Sequence, residues 1–231
     1  MLRNKYYANH AYERRIIVAP KPKFTKEQIV ETAVDIIRTS SVEAITAQEI
    51  ARRLGASTRP VFTYFDTLDD LRAAAAERAK QIYNAYAERG LKMTPAFKGY
   101  AMEYIRFAAQ EPSLFRLLFM RKSQTRSLIE YLEQEGHLHS IRQTVMQSFG
   151  LDAAQADWLY ENMWLYAHGI ATLCASEAVV FGDGEIAGRL GTLCRSLLIT
   201  MNMPKDVRTG IVPGSDVTMP GTIEDYIHSH K

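Results

Sequence analysis

The chain has 231 residues, 47% hydrophobic and 23% charged, which is enough apolar content for a buried core and excludes a disordered or low-complexity protein. Its net charge is only +2, yet residues 1–66 hold 11 Lys and Arg against 7 Asp and Glu, while residues 67–231 hold 17 against 19. No apolar run approaches the ~20 residues that cross a bilayer, so an integral membrane protein and a membrane partner are not expected.

Residues 1–22 read as a basic extension. It suits contact with a polyanion, or simply a solvated tail. Thr25 and Gln28 then form a capping box, and Phe24 and Ile29 are spaced as a hydrophobic staple across it. Ile29, Ala33, Ile36 and Ile37 fall on one helix face, which fades at Thr39-Ser40-Ser41. Thr46-Ala47-Gln48-Glu49 predicts a second capping box, followed by a short inward face of Ala47, Ile50, Ala51 and Leu54. Gly55 stands where a helix ends on a left-handed residue. Ser57 is placed to cap the next helix, with Pro60 in its first turn, where a missing N–H costs least. Val61, Tyr64 and Phe65 would face inward. Residues 46–65 therefore read as helix, three-residue turn, helix. Thr67 caps a fourth helix running through Leu71, Ala75, Ala79, Ile82 and Tyr86 to Gly90, long enough to be a strut between two domains.

Further on, Thr94-Pro95 opens a helix with Phe97, Ala101, Tyr104, Ile105 and Ala108 inside, and Glu111-Pro112 interrupts it. A short apolar segment covers 114–120. One helix is expected over roughly 125–148, stopping at Gly150. Asp152 and Gln155 form a third capping box, opening a helix through Leu159, Met163, Tyr166, Ile170 and Leu173. The last helix is predicted at 185–203, with Ile186, Leu190, Leu193, Leu197 and Met201, ended by Pro204. Residues 204–231 hold six Gly or Pro and read as a loop-rich tail. The expected fold is all-α. A three-helix helix-turn-helix domain at 23–70 precedes a helical-bundle ligand-binding and dimerisation domain at 71–203.

Helix, glycine turn and short second helix can read DNA, the second helix entering the major groove. Thr58, Arg59, Thr63 and Phe62 would face outward. Arg59 suits bidentate hydrogen bonding to guanine O6 and N7. Thr25, Thr46, Ser57 and Thr67 lie at helix starts, where backbone amides and hydroxyls can hold phosphates. Each of these also serves simply as a cap.

Residues 24–71, with the core ITAQEIARRLGASTRPVFTYFDTLDDLRAAA, resemble the N-terminal domain of TetR/AcrR-type transcriptional regulators. The shared pattern is an Ile-Thr opening, Ala-Arg-x-Leu-Gly, a Ser-capped helix ending in aromatic-x-Tyr-Phe, and Leu71 in the fourth helix. The resemblance implies a homodimer that binds a double-stranded DNA operator and responds to a small-molecule effector. It places DNA contacts at Thr25, Gln48, Ser57, Thr58, Arg59, Pro60, Phe62, Thr63 and Tyr64. Two positions depart from the family pattern. Phe62 stands where Tyr is common, and Leu68 where Lys is often found, so two phosphate contacts are lost. The basic extension could supply replacements.

A second resemblance links Glu111-Pro112-Ser113-Leu114-Phe115 and Trp164-x-x-x-His168-Gly169 to one class of TetR-type regulatory domain, the WHG type. There the last two long helices, here about 152–176 and 185–203, form the dimer interface. Leu190, Leu193, Leu197 and Met201 suit that role and suit an ordinary intrachain core equally. Tyr100, Tyr104, Phe107, Phe115, Tyr131, Trp158, Trp164, Tyr166 and His168 could line an effector cavity or fill a core.

No enzyme is expected. His137-x-His139 lies too close to the helix stop at Gly136 for a metal pair, and Cys174 and Cys194 lack CxxC spacing. Neither a nucleophile elbow nor a phosphate-binding glycine loop occurs. No metal and no cofactor are expected. The N-terminus lacks an apolar signal core, and the two cysteines read as small hydrophobes of a reducing compartment, so the expected location is cytoplasmic. Two functions remain open: a ligand-responsive regulator, repressor in sign, or a helical ligand- or protein-binding module whose specific DNA binding is weakened.

Overall fold

In the computed structural model, residues 23–122, 125 and 127–201 are described. Among them the chain forms ten α-helices and one 3-10 turn and no strand, so the fold is all-α. The basic extension and the tail, with the helix stop assigned to Pro204, lie outside the described residues. Two compact units divide between Ala79 and Lys80.

In the N-terminal unit, α1 (Lys26–Thr39) starts at Thr25, whose side chain accepts from the Gln28 amide while Gln28 bonds back to the Thr25 N–H. Ile29, Ala33, Val34, Ile36 and Ile37 are buried on its inner face. Helix α2 (Ala47–Leu54) ends on Gly55, whose φ of +60° lets the Ala56 amide reach back to the Ala51 carbonyl at 2.9 Å. Helix α3 (Arg59–Tyr64) follows at once, and α4 (Leu68–Leu91) begins at Thr67, which exchanges capping bonds with Asp70 at 3.1 and 2.9 Å. The unit reaches beyond residue 70, because Leu71, Ala75 and Ala79 of α4 are fully buried and Arg78 pairs with Glu31 of α1 at 2.5 Å.

The C-terminal unit is built on α5 (Ala96–Gln110) packed along α9 (Ala153–Ala175), with α6 (Pro112–Phe119), α8 (Leu138–Phe149) and α10 (Asp183–Met201) against them. Asp152 and Gln155 complete the capping box of α9. The helix expected over 125–148 is in fact two, α7 (Leu128–Glu135) and α8. Gly136 adopts φ +88° and closes α7 with a bond to the Glu133 carbonyl, turning the chain before His137. Helix α5 opens at Ala96, directly behind Thr94-Pro95, while α10 begins at Asp183 rather than 185.

Leu190 is buried, but Leu193, Leu197 and Met201 are only half-buried within the chain. No helix among the described residues is long and apolar enough to cross a membrane.

Candidate nucleic-acid interface and effector cavity

The short helix α3 owes its orientation to two residues. Val61 and Phe65 are 1% and 5% exposed, so they anchor it to the unit's core and turn the opposite face to solvent. Arg59, Phe62 and Thr63 stand on that outer face, with Phe62 54% exposed. Thr58 and Pro60 are half-buried, and Ser57, Gln48, Thr25 and Thr67 are exposed.

Two local expectations need correction. Ser57 does not cap α3; the helix begins behind Thr58, already in αR conformation, with no side-chain cap bond. Thr46 does accept from the Glu49 amide at 3.1 Å, but Glu49 does not return the bond. Its carboxylate instead takes Arg52 at 2.7 Å and Arg53 at 2.8 Å, and these guanidiniums hold its pKa down to about 2. Tyr64 is half-buried, in keeping with its expected inward placement, and its hydroxyl donates to the Phe24 carbonyl at 2.9 Å, which ties α3 to the start of α1. Similarly, the Thr63 hydroxyl donates to the Arg59 carbonyl at 3.0 Å.

In the C-terminal unit most of the candidate aromatics are core. Tyr100, Tyr104, Phe107 and Phe115 are at most 2% exposed. Tyr104 shares a 2.8 Å hydrogen bond with His168 Nδ1, and His168 stacks on Trp164 at 4.6 Å between centroids. Burial pushes the His168 pKa down, which favours the neutral ring. Between Tyr100, Tyr104 and Trp164 there is a crevice of only about 10 Å³, too small for an effector. Trp158 is 39% exposed, and Tyr166 faces a shallow groove against α10, so neither belongs to the aromatic cluster.

A cavity of about 430 Å³ opens elsewhere, beside α7. Of the candidates only Tyr131 lines it, joined by Tyr83, Phe119 and Glu135, with Lys80, Arg121 and Lys122 also bordering it. The one signal for Glu135 in the sequence is its spacing from Leu128 and Leu132, at i+7 and i+3 on a single helix face. Nothing local marks Tyr83 or Phe119 as cavity walls.

Glu135 is the unusual group. Both carboxylate oxygens and the Trp164 indole N–H are buried without a hydrogen bond of good geometry to any described residue, although the indole lies near enough to oppose the rise in the carboxyl pKa. Burial pushes that pKa from 4.5 up to about 8, against the pull of Lys80 and Trp164. Between those two values the folded chain holds a proton that the unfolded chain has released, so stability falls as pH rises through this window. Glu135→Gln is therefore expected to change stability little at pH 5 and to raise it by about 1–3 kcal/mol at pH 8.5. Urea denaturation at the two pH values checks this; equal effects at both would mean the carboxyl ionises freely.

No group of three or more His, Cys, Asp or Glu side chains among the described residues is arranged to hold a metal ion. No family model matches the sequence, and no curated protein matches it. Solved structures do. A TetR-like transcriptional regulator from Rhodococcus sp. RHA1 superposes with a TM-score of 0.55 at 15% identity, over 75% of this chain and 94% of that one. A tetR-family transcriptional regulator from Streptomyces coelicolor gives 0.55 at 17% identity, over 80% and 91%. At such identities the likeness is one of fold. The chain has the all-α fold of TetR-like transcriptional regulators.

Proposed function

We propose that the protein is a ligand-responsive DNA-binding transcriptional regulator, a homodimeric repressor of a palindromic operator released by a small molecule. The observation that carries this reading is the outer face of α3. A six-residue helix is fixed by Val61 and Phe65 behind a Gly55 turn, and presents Arg59, Thr63 and Phe62 to solvent. Such a face packs against nothing among the described residues, and its residue types are those that meet base edges and phosphates.

A pair of these helices about 34 Å apart would read two half-sites in successive major grooves. The apolar exposure on α9 and α10 supports a dimer through these helices: Leu165 is 54% exposed, Leu173 40% and Ile199 58%. At Gly169 a Cβ would meet nothing within 4 Å among the described residues, which leaves room for a second helix to approach closely there. An effector that binds one arrangement of the dimer better than another would shift the population away from DNA. Helix α4, continuous from one unit into the next, is the route for that coupling.

Selection from a random DNA pool tests the reading. A palindrome should be enriched, and Arg59→Ala should lower affinity for it about 5- to 150-fold, the equivalent of one bidentate base contact of about 1–3 kcal/mol. Equal affinity of a folded Arg59→Ala dimer would remove the specific reading. A second function has one feature in its favour: Phe62 and the half-buried Leu68 offer no hydrogen bond where the family commonly places Tyr and Lys. Weak, sequence-blind binding that disappears with salt would support that alternative, a helical ligand- or protein-binding module.

A further inference from the structure

The cavity beside α7 combines aromatic walls with an acid whose oxygens make no hydrogen bond of good geometry to any described residue. Glu135 is 8% exposed, and both its oxygens lie buried, the Trp164 indole being the one donor among the described residues near enough to act on the carboxyl. Buried polar groups are nearly always partnered, and one indole N–H leaves a second oxygen open, so this carboxyl at the wall of a 430 Å³ opening points to a ligand donor. Rings flank it. Tyr83 and Phe119 meet edge-on at 4.9 Å, and Tyr131 stands 5.5 Å from Trp164.

We propose, building on the effector reading above, that this cavity takes a small organic cation: an ammonium group on an apolar or aromatic body. The ammonium lies against the Glu135 carboxylate, and the body against Tyr83, Phe119 and Tyr131. An ammonium carries donors and no acceptor, which matches a carboxylate whose one nearby hydrogen-bond donor among the described residues is the Trp164 indole. Aromatic rings attract a cation through their quadrupole, and do so more strongly where water is excluded.

Three cations border the same opening and oppose the ligand's charge: Lys80, Arg121 and Lys122. Arg121 and Lys122 are exposed, so water and salt screen them, whereas Glu135 acts from a buried position of lower dielectric. Lys80 donates to the Gln134 carbonyl at 3.4 Å, which holds its ammonium at the backbone. The other titratable groups around the acid among the described residues are phenols and an imidazole. Burial pushes Tyr83, Tyr100, Tyr104 and Tyr160 well up, and Tyr131 to about 12, so all stay neutral near pH 7. Burial pushes His137 down, leaving it neutral there as well.

Because Glu135 keeps its proton up to about pH 8, a cation displaces that proton on binding. Affinity for a cation then rises with pH, about tenfold per unit below pH 8. An anion would show the opposite trend as the carboxyl ionises.

Three matched probes decide the matter on the full chain: 2-phenylethylammonium, 3-phenylpropionate and 3-phenylpropan-1-ol, titrated at pH 6 and pH 8. The ammonium should bind best and at least tenfold more tightly at pH 8 than at pH 6. Glu135→Gln should weaken it at least tenfold while leaving the alcohol unchanged. Tightest binding of the propionate would overturn the proposal, as would failure of all three to bind. Ammonium binding indifferent to pH and to Glu135→Gln would overturn it too. Operator affinity measured in parallel separates this site from the wider reading. Glu135-dependent ammonium binding that leaves DNA affinity untouched supports the cation site and counts against the effector role. Specific operator binding with no ammonium binding sinks the site alone.

Discussion

Gly99→Ala is expected to destabilise the C-terminal unit by about 3 kcal/mol or more, at the upper end of what overpacking costs. A Cβ at Gly99 would sit 2.4 Å from the Gly90 carbonyl oxygen and 2.6 Å from the Met93 Cβ. The relation is reciprocal, since a Cβ at Gly90 would lie 2.7 Å from the Gly99 carbonyl oxygen and the Tyr100 Cα. These are backbone atoms and a Cβ, so no side-chain rotation relieves the clash. The C-terminal end of α4 and the first turn of α5 would have to move apart. That movement would disturb the Tyr83–Tyr100 hydroxyl pair, which spans the same two helices at 2.8 Å. Urea denaturation of Gly99→Ala beside Gly184→Ala makes the comparison, because a Cβ at Gly184 meets nothing within 4 Å. A loss at Gly99 and none at Gly184 is the expected result. Equal stability of the two variants would mean that the helices do not cross this closely.

Removing both arginines that face Glu103 should be the other large effect, about 3–5 kcal/mol, the usual consequence of stranding a buried charge. Glu103 has no exposed surface. Its carboxylate takes Arg89 of α4, one bond being 2.7 Å, and also Arg106 of its own helix. Arg106 in turn reaches Asp183, the first residue of α10, at 2.9 Å, so one buried carboxylate ties three helices together. The arginine side chains are 50% and 31% exposed and can turn to water when the acid is absent. Glu103 has no such escape. The double variant Arg89→Met/Arg106→Met should therefore lose clearly more stability than Glu103→Met in the same denaturation assay. The reverse order would show that holding the guanidiniums, and not desolvation of the carboxylate, dominates.

The two units differ in how legible they were. In the N-terminal unit the residues that matter speak to near neighbours. Thr25 with Gln28, Thr67 with Asp70 and Gly55 at its left-handed position all act within three or four residues, and Val61 and Phe65 follow from helix periodicity. At Glu49 the outcome was a choice between partners equally close in sequence. Glu49 is three residues from both the Thr46 cap and Arg52, and charge-assisted bonds to Arg52 and Arg53 win over a neutral backbone amide. Tyr64 finds the Phe24 carbonyl, forty positions away, which no local pattern announces.

In the C-terminal unit the sequence by itself determined the helical class, the cap at Asp152, the break at Glu111-Pro112, and the abundance of aromatic rings. Only the tertiary structure decided which rings are packing and which are walls. Tyr100, Tyr104, Phe107 and Phe115 fill space between helices, while Tyr83, Phe119 and Tyr131 border an opening. The same holds for the glycine contact between α4 and α5 and for the burial of the Glu135 carboxyl at the cavity wall. A cap is a hydrogen bond closed within one turn, so its residues lie side by side in the chain. A cavity is what remains between side chains from several helices, and its shape depends on all of them at once.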